Sequence, residues 1–309
     1  MSQPKSDPPN NWRLTWSDEF EGDSLDATKW CHDLGNGFFD YASHCWIAGW
    51  GNEELQYYTQ EPANISVANS VLTIRAVKAS LHGCGYTSAR IKTRSQDGTA
   101  LFAQRYGRFE FRAKVPWGKG VWPALWMLPL ADHYGRWAAS GEIDVMEIHG
   151  EQPARTLGSI HYGSAFPERS LTTHTLDLPP GQQVDDWHVY TVEWEPGEIR
   201  WLFDNKVWAR QDFWWSCSRT KDGKGVQAQK KSDLNAWPAP FDQPFYLLMN
   251  VAVGGNFPGH PNAETHFPAE LMVDYVRVYE RVAGYAETVP RSKARLPYQP
   301  EPPPSTAKQ

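Results

Sequence analysis

Residues 141–150 read GEIDVMEIHG, an apolar run that begins and ends with glycine and carries three carboxylates. The β-branched residues and the flanking glycines predict a short β-strand. Side chains alternate faces along a strand, so Glu142 and Asp144 should share one face while Glu147 points the other way. One extra residue near Val145–Met146, a β-bulge, would return Glu147 to their side, and bulges are common beside active sites.

Three carboxylates on one strand face predict the acidic pair of a glycosidase. With the bulge, the backbones of Glu142 and Glu147 lie about 13 Å apart. Side chains that lean inward would bring the carboxyl groups to the roughly 5 Å separation of a retaining pair. Asp144, between them, would tune the charge on both. Two alternatives stay open, since acidic clusters also bind cations and acidic strand faces are often simply solvated.

The rest of the chain predicts an all-β sandwich. RYGRFEFRAKVP, residues 105–116, alternates apolar and charged residues as a half-buried antiparallel strand does. WHVYTVEWEPGEIRWLFDN, residues 187–205, predicts two strands around a Pro-Gly turn. Further short strand-like segments are separated by glycine and proline, and no long stretch has a helical period. We predict one domain over residues 12–281, between disordered polar tails at 1–11 and 282–309.

Composition and charge exclude several classes of protein. The 309 residues carry a net charge of −6 and no basic stripe, which argues against a nucleic-acid partner. No apolar run approaches the roughly 18 residues of a membrane span, and the first residues lack an apolar signal region. Four cysteines occur without a CxxC pair, which disfavours a zinc cage. Cys31 and Cys45 bracket one loop and are the predicted disulfide, with four buried thiols as the alternative.

Tryptophan is unusually abundant, at 16 residues. The indole N–H needs a partner when it is buried, so an excess of tryptophan indicates that some rings line a groove. The apolar C–H face of a pyranose stacks well on indole. We therefore predict a sugar-binding groove, with most of the remaining rings in the core.

The spacing Glu-x-Asp-x-x-Glu over residues 142–147 resembles the signature of glycoside hydrolase family 16. Further segments resemble that family in the same order, among them WSDEF, GWGNEELQYYT, YTSARIKT, YGRFEFRAKVP, GVWPALWMLP, SIHYG, WHVYTVEW, FYLLMNVAVGG and VDYVRVYE. The similarity covers residues 12–281 and is greatest to laminarinase-like β-1,3-glucanases. It implies a concanavalin-like jelly-roll sandwich of two curved antiparallel sheets with a concave substrate cleft.

The resemblance also assigns expected roles to single residues. It implies that Glu142 is the nucleophile, Glu147 the general acid/base and Asp144 the assisting residue. The expected substrate-binding residues are Asn52, Arg90, Trp122, Trp126, Trp137 and His161. Trp122 and Trp126 fall on one strand face as sugar platforms, with two core indoles as the alternative. Catalysis would need no cofactor. A structural calcium would involve Glu19 and Asp274, for which an exposed acidic pair is the alternative.

The predicted function is endo-acting, retaining hydrolysis of β-1,3-glucan of the laminarin type, with mixed-linkage β-1,3/1,4-glucan as a further candidate substrate. A non-catalytic β-glucan-recognition protein, a relative acting on galactans such as agar or carrageenan, and a transglycosylase are the alternatives. We expect a monomer without a membrane partner. Because such an enzyme meets its polymer outside the cell, we expect secretion. Long loops at 31–52 and 209–241 are predicted to narrow the cleft or to add a sugar subsite.

Overall fold

A computed structural model describes residues 11–40 and 43–287. In these two ranges the regular structure consists of β-strands and two short 3-10 turns, Gly49–Gly51 and Lys231–Asp233. None of the helical segments there has the length and apolarity needed to cross a membrane. The prediction of an all-β fold is confirmed.

One large sheet has eight strands, in the order β17-β16-β15-β10-β21-β7-β6, with β1 also paired to β21. All neighbouring pairs are antiparallel. The strands are β1 (Trp12–Asp18), β6 (Ile65–Ala68), β7 (Val71–Ala76), β10 (Gly107–Lys114), β15 (His188–Glu195), β16 (Glu198–Phe203), β17 (Lys206–Gln211) and β21 (Ala269–Arg281). The predicted Pro-Gly turn joins β15 to β16.

The second large sheet has seven antiparallel strands, in the order β14-β13-β12-β11-β20-β9-β2. They are β2 (Cys31–Asp33), β9 (Arg90–Lys92), β11 (Val121–Pro129), β12 (Glu142–Glu147), β13 (Arg155–Gly163), β14 (Arg169–Asp177) and β20 (Phe245–Val253). The acidic strand β12 thus lies inside the sheet, and β2 forms one edge.

Three two-stranded sheets complete the structure: β3 (Gly37–Asp40) with β4 (Cys45–Ala48), β5 (Gln56–Tyr58) with β8 (Tyr86–Ser88), and β18 (Thr220–Lys221) with β19 (Lys224–Gly225). The β3–β4 hairpin directly follows the edge strand β2. It occupies most of the long loop identified in the sequence.

The hydrophobic core lies between the two large sheets and takes alternate residues from their strands. Six tryptophans are buried, namely Trp12, Trp30, Trp194, Trp201, Trp214 and Trp215. Trp214 and Trp215 belong to the loop at 209–241, and Trp237 of the same loop packs against the core. The apolar surfaces of Trp214 and Trp215 are therefore used in packing, whereas the contribution of the 209–241 loop to the cleft stays a prediction.

The prediction that β10 is half buried is only partly right. Its apolar face enters the core as expected, but Arg108 and Glu110 on the charged face are also buried. Arg108 donates hydrogen bonds to Glu110, to Glu193 and to Asn205. Neighbouring strands thus cover the charged face and neutralise it, which alternation within one strand cannot reveal.

The predicted disulfide between Cys31 and Cys45 is absent, and all four cysteines are free. Cys31 begins β2 and pairs with Lys92, whereas Cys45 pairs with Asp40 near the turn of the β3–β4 hairpin. The hairpin therefore holds Cys31 and Cys45 apart, although they lie at the two ends of one loop in the sequence. The alternative of four buried thiols is also wrong, because only Cys217 is buried and Cys45 is exposed.

The predicted tails lie mostly outside the described residues. At their inner borders the chain is still ordered, since the Val282 amide donates to the carbonyl of Asn11. Tyr285 packs on Tyr106, with ring centroids 5.3 Å apart. The ordered structure therefore continues past residue 281.

Candidate active site

The predicted bulge is present in β12. Asp144 pairs with Ser159 of β13 and Glu147 pairs with Leu157, so that four residues of β12 oppose three of its neighbour. Val145 and Met146, consecutive in the chain, both enter the core. Glu142, Asp144 and Glu147 are consequently brought to the same outer face of the seven-stranded sheet.

Indole donors hold the two outer carboxylates. Trp137 Nε1 donates to Glu142 Oε2 at 2.6 Å, and Trp122 Nε1 donates to Glu147 Oε1 at 2.9 Å. Both bonds favour the ionised form of the carboxylate and limit its rotation. Two residues predicted as sugar platforms therefore also orient the predicted catalytic pair.

Burial dominates the electrostatics of the acidic cluster. Desolvation, together with the charges of Asp144 and Glu147, raises the pKa of Glu142 to about 8. Burial also raises the pKa of Glu147, and it raises that of Asp144 well above its usual range. Three charges cannot be held this close in a desolvated site, so the cluster retains protons at neutral pH.

His161 of β13 lies opposite Glu142 and bridges two of the carboxylates. Its Nε2 is 3.7 Å from Glu142 Oε1 and 3.4 Å from Asp144 Oδ2. Its ring lies 5.4 Å from the ring of Trp137. The imidazole therefore restricts the movement of the cluster, and its electrostatic attraction lowers the pKa of Glu142 and of Glu147.

The remaining predicted binding residues continue across the sheet from the carboxylates. Glu147 lies opposite Ala124 of β11, which lies opposite Asn250 of β20, then Arg90 of β9 and Asp33 of β2. Arg90 forms a 2.9 Å ion pair with Asp33.

The guanidinium of Arg90 contacts two indole rings. Its Cζ lies 4.5 Å from the ring centre of Trp50 and 4.7 Å from that of Trp126. Cation–π attraction to both indoles restricts the guanidinium. Arg90 and Trp126 therefore form one ordered surface beside the acidic cluster.

Asn52, the last predicted binding residue, is held by a carboxylate that the sequence did not identify. Glu54 accepts hydrogen bonds from Asn52 Nδ2 at 3.1 Å, from Gln56 Nε2 at 2.6 Å and from Tyr58 at 3.5 Å. Tyr58 in turn accepts from Asn250, which accepts from Trp126 Nε1 at 2.8 Å. A continuous chain of hydrogen bonds thus links Asn52 to Trp126.

Sequence reasoning missed Trp50, Glu54 and Asn250 in this network. Asn250 had a usable signal, because it is the single polar residue in the apolar strand FYLLMNVAV. Glu54 had none, since its direct partners are close in the sequence and its link to Trp126 appears only when Asn250 of β20 packs against Tyr58.

Replacing Glu54 with glutamine should raise KM for the substrate about five- to tenfold and change kcat less. The amide presents one acceptor where the carboxylate presents two, so Asn52 and Trp126 lose their common anchor while the acidic cluster is untouched. Steady-state kinetics measure the effect. Glu53→Gln, at the exposed neighbouring position, is the control, and equal KM values in both variants would contradict this role.

The residues predicted to hold calcium do not fit a shared cation site. Glu19 is bound through both carboxylate oxygens by Arg277, at 2.7 and 3.0 Å. Asp274 accepts from Arg112 at 2.7 Å. Each negative charge is already compensated by an arginine.

A second cluster, Glu142, Asp144 and His161, has donor atoms within 4.8 Å of one another. One nitrogen and two carboxylates, however, match poorly the six to eight oxygens that calcium prefers.

Calcium binding remains a prediction with a direct test. If calcium binds the folded chain, it raises the melting temperature and leaves the activity unchanged. Thermal unfolding in calcium and in chelator measures this. Because arginines already bind Glu19 and Asp274, we expect the same melting temperature in calcium and in chelator. That result would count against the calcium site.

Comparison with known proteins gives consistent matches. The family model described as "Glycosyl hydrolases family 16" matches residues 48–212. The chain is 41% identical over 279 residues to "Glucan endo-1,3-beta-glucosidase A1" of Niallia circulans, which covers 86% of this chain and 38% of that protein. It is 40% identical over 293 residues to "Beta-glucanase" of Rhodothermus marinus, covering 91% of this chain and 90% of the relative.

Solved structures agree with the sequence matches. The catalytic domain of an endo-1,3-beta-glucanase (laminarinase) from Thermotoga petrophila superposes with a TM-score of 0.71 at 37% identity. The match covers 88% of this chain and 99% of that one. Both the fold and the order of the segments are therefore shared over most of the described residues.

Proposed function

The chain belongs to glycosyl hydrolase family 16, and on that premise we propose that it is an endo-acting, retaining glycosidase that cleaves β-1,3-glucan. The bulge in β12 is the observation that carries the proposal. It places Glu142, Asp144 and Glu147 on one face, beside indole rings suited to stacking on sugars. The names of the glucanase relatives supply the substrate class.

In the proposed first step, the Glu142 carboxylate attacks the anomeric carbon of the sugar. Glu147 protonates the departing glycosidic oxygen, so that the bond breaks without releasing an alkoxide. A covalent glycosyl ester on Glu142 results. The indole donors of Trp137 and Trp122 keep the two carboxyl groups in place during this step.

In the second step, Glu147 is ionised and takes a proton from water as that water attacks the anomeric carbon. The ester breaks, Glu142 leaves as a carboxylate, and the sugar keeps its original anomeric configuration. Every proton is exchanged between Glu147, the substrate and water. The chain's own residues therefore complete the cycle.

Asp144 is proposed to assist by holding a proton. Its side chain is 3% exposed, and burial together with the charge of Glu147 raises its pKa well above the usual range. In its protonated form it donates to Glu142, which orients the nucleophile and avoids a second negative charge beside it.

Asp144→Asn should shift the acid limb of the pH–activity profile to lower pH. Glu142 and Asp144 share a proton, and when that proton lies on Glu142 the charge of Asp144 raises the pKa of Glu142. An amide at position 144 cannot carry that charge. The free carboxylate of Glu142 then exists at lower pH. The pH dependence of kcat/KM measures the shift, and an unmoved or higher acid limb would contradict the proposed coupling.

The test of function is product release from a matched set of polymers: laminarin, curdlan, mixed-linkage glucan, cellulose, agarose and carrageenan. We expect oligosaccharides from laminarin and none from the galactans, with the mixed-linkage result defining the breadth of specificity. Activity only on a galactan would overturn the substrate. Binding of laminarin without any hydrolysis would favour the glucan-recognition alternative. Formation of oligosaccharides longer than the ones supplied would indicate transglycosylation.

Two further proposals follow from the substrate. All the residues named in the site belong to one chain, so a monomer is sufficient for activity. A glucan polymer is met outside the cell, so we propose that the protein acts there.

A further inference from the structure

The β3–β4 hairpin lies where the predicted sugar surface reaches the edge of its sheet. From β12 the surface crosses β11, β20 and β9 to the edge strand β2, a distance of about 19 Å at normal strand spacing. The chain leaves β2 and enters the hairpin after three intervening residues. A glucan chain that follows this surface away from the acidic cluster therefore arrives at the hairpin.

A row of aromatic rings and one guanidinium group extends along the same surface. Trp126, in the middle of the sheet, stacks on Arg90, and Arg90 stacks on Trp50. The ring centroid of Trp50 is 6.3 Å from that of Phe38 in β3. Phe38 is 41% exposed, so the row ends at an accessible aromatic ring.

The two faces of the hairpin differ. Phe38 lies opposite Ile47, whereas Phe39 lies opposite Trp46, and side chains on neighbouring positions of a strand point to opposite faces. The face of Phe38 and Ile47 adjoins Gly51 and Trp50, while Trp46 adjoins Gly35. Only the Phe38 face is thus continuous with the predicted sugar surface.

An ion pair links the hairpin to the loop that precedes the acidic strand. Asp40, on the same face as Phe38, is bound by Arg136. Arg136 precedes Trp137, whose indole holds Glu142. The hairpin is therefore tied to the loop that orients the predicted nucleophile.

We propose that Phe38 forms a distal stacking platform for a β-1,3-glucan chain and that the β3–β4 hairpin makes the enzyme selective for long chains. This inference rests on the proposed function. A distal platform contributes binding energy only to substrates that reach it, so it raises kcat/KM for long oligosaccharides and leaves short ones unaffected. The ring is apolar, and no charged partner of it is found among residues 11–40 and 43–287, which suits a neutral sugar face.

The experiment compares wild type, Phe38→Ala and Phe39→Ala on laminari-oligosaccharides from the trisaccharide to the heptasaccharide. Phe39 has a similar exposure, 43%, on the opposite face, which makes it the matched control. We expect Phe38→Ala to lower kcat/KM about fivefold or more on the heptasaccharide and to leave the trisaccharide unchanged. Phe39→Ala should behave as wild type. Phe38→Trp, which keeps an aromatic ring, should retain the preference for long oligosaccharides.

The outcomes separate this inference from the function on which it rests. Loss of activity by Phe38→Ala at every chain length, with a lowered melting temperature, would assign Phe38 a purely structural role and overturn the inference. Identical chain-length profiles for the two alanine variants would also overturn it while leaving the glucanase function intact. A wild-type protein that cleaves none of the oligosaccharides would overturn both.

Discussion

Glu142→Gln is expected to lower kcat on laminarin by about four orders of magnitude or more, because the amide cannot form the covalent glycosyl ester. The glutamine oxygen can still accept the hydrogen bond from Trp137, so the fold and laminarin binding should persist. Initial rates, together with binding measured on the same preparation, check the prediction. Glu168→Gln, at an exposed position, is the control.

The identity of the nucleophile can be tested further with azide. In Glu142→Ala, azide can occupy the space of the carboxylate and attack the anomeric carbon, which gives a glycosyl azide of inverted configuration. Azide on the Glu147 side would give the retained configuration. A retained product from Glu142→Ala, or near-normal turnover by Glu142→Gln, would refute the assignment.

The substitution Glu142→Gln should also stabilise the fold at high pH. The pKa of Glu142 is about 8 in the folded chain and 4.5 in its ordinary state. Between these values the unfolded chain is ionised while the folded chain still holds the proton, so wild-type stability falls as pH rises from 4.5 to 8. Glutamine cannot ionise. The variant should therefore melt about 10 °C above wild type at pH 8, with a smaller difference near pH 4.

Glu147→Gln is expected to lower kcat on laminarin by about three orders of magnitude, because the leaving oxygen is no longer protonated. A substrate with an acidic leaving group, such as a dinitrophenyl laminaribioside, needs no such help in the first step. Its glycosylation rate should therefore fall much less. Single-turnover kinetics on both substrates measure the difference.

The control for this variant is Glu151→Gln, in the turn that follows the same strand. Glu151 is exposed and pairs with Lys119, so its loss should leave both rates close to wild type. Equal losses on the two substrates in Glu147→Gln would contradict an acid role and would indicate damage to the site as a whole. The basic limb of the pH profile should also disappear in the variant.

The local pattern of the sequence predicted the acidic strand, and the resemblance to family 16 supported the bulge that the pattern alone only allowed. Glu142 and Asp144 are two residues apart and share a face by strand geometry alone. Val145 and Met146 are both apolar, so the core can take both, and Glu147 then turns outward. The alternation of apolar residues and the Pro-Gly turn between β15 and β16 likewise predicted the sandwich.

The sequence failed where one residue depends on another that is distant in the chain. Arg108 and Glu110 were expected to be solvated, but Glu193 and Asn205 cover them. Cys31 and Cys45 bracket a loop, and the hairpin keeps them apart. Trp214 and Trp215 are in a long loop, yet they pack in the core.

By itself the sequence determined the fold class, because alternating strand patterns recur in many segments, and the shared face of Glu142 and Asp144, because these residues are two positions apart. The tertiary structure alone decided how the site is supported. Glu54 meets Asn52 within one loop but reaches Trp126 only through Tyr58 and Asn250. The raised pKa of Glu142 depends on burial by neighbouring strands. Desolvation and hydrogen bonding between strands are long-range properties that no short sequence pattern contains.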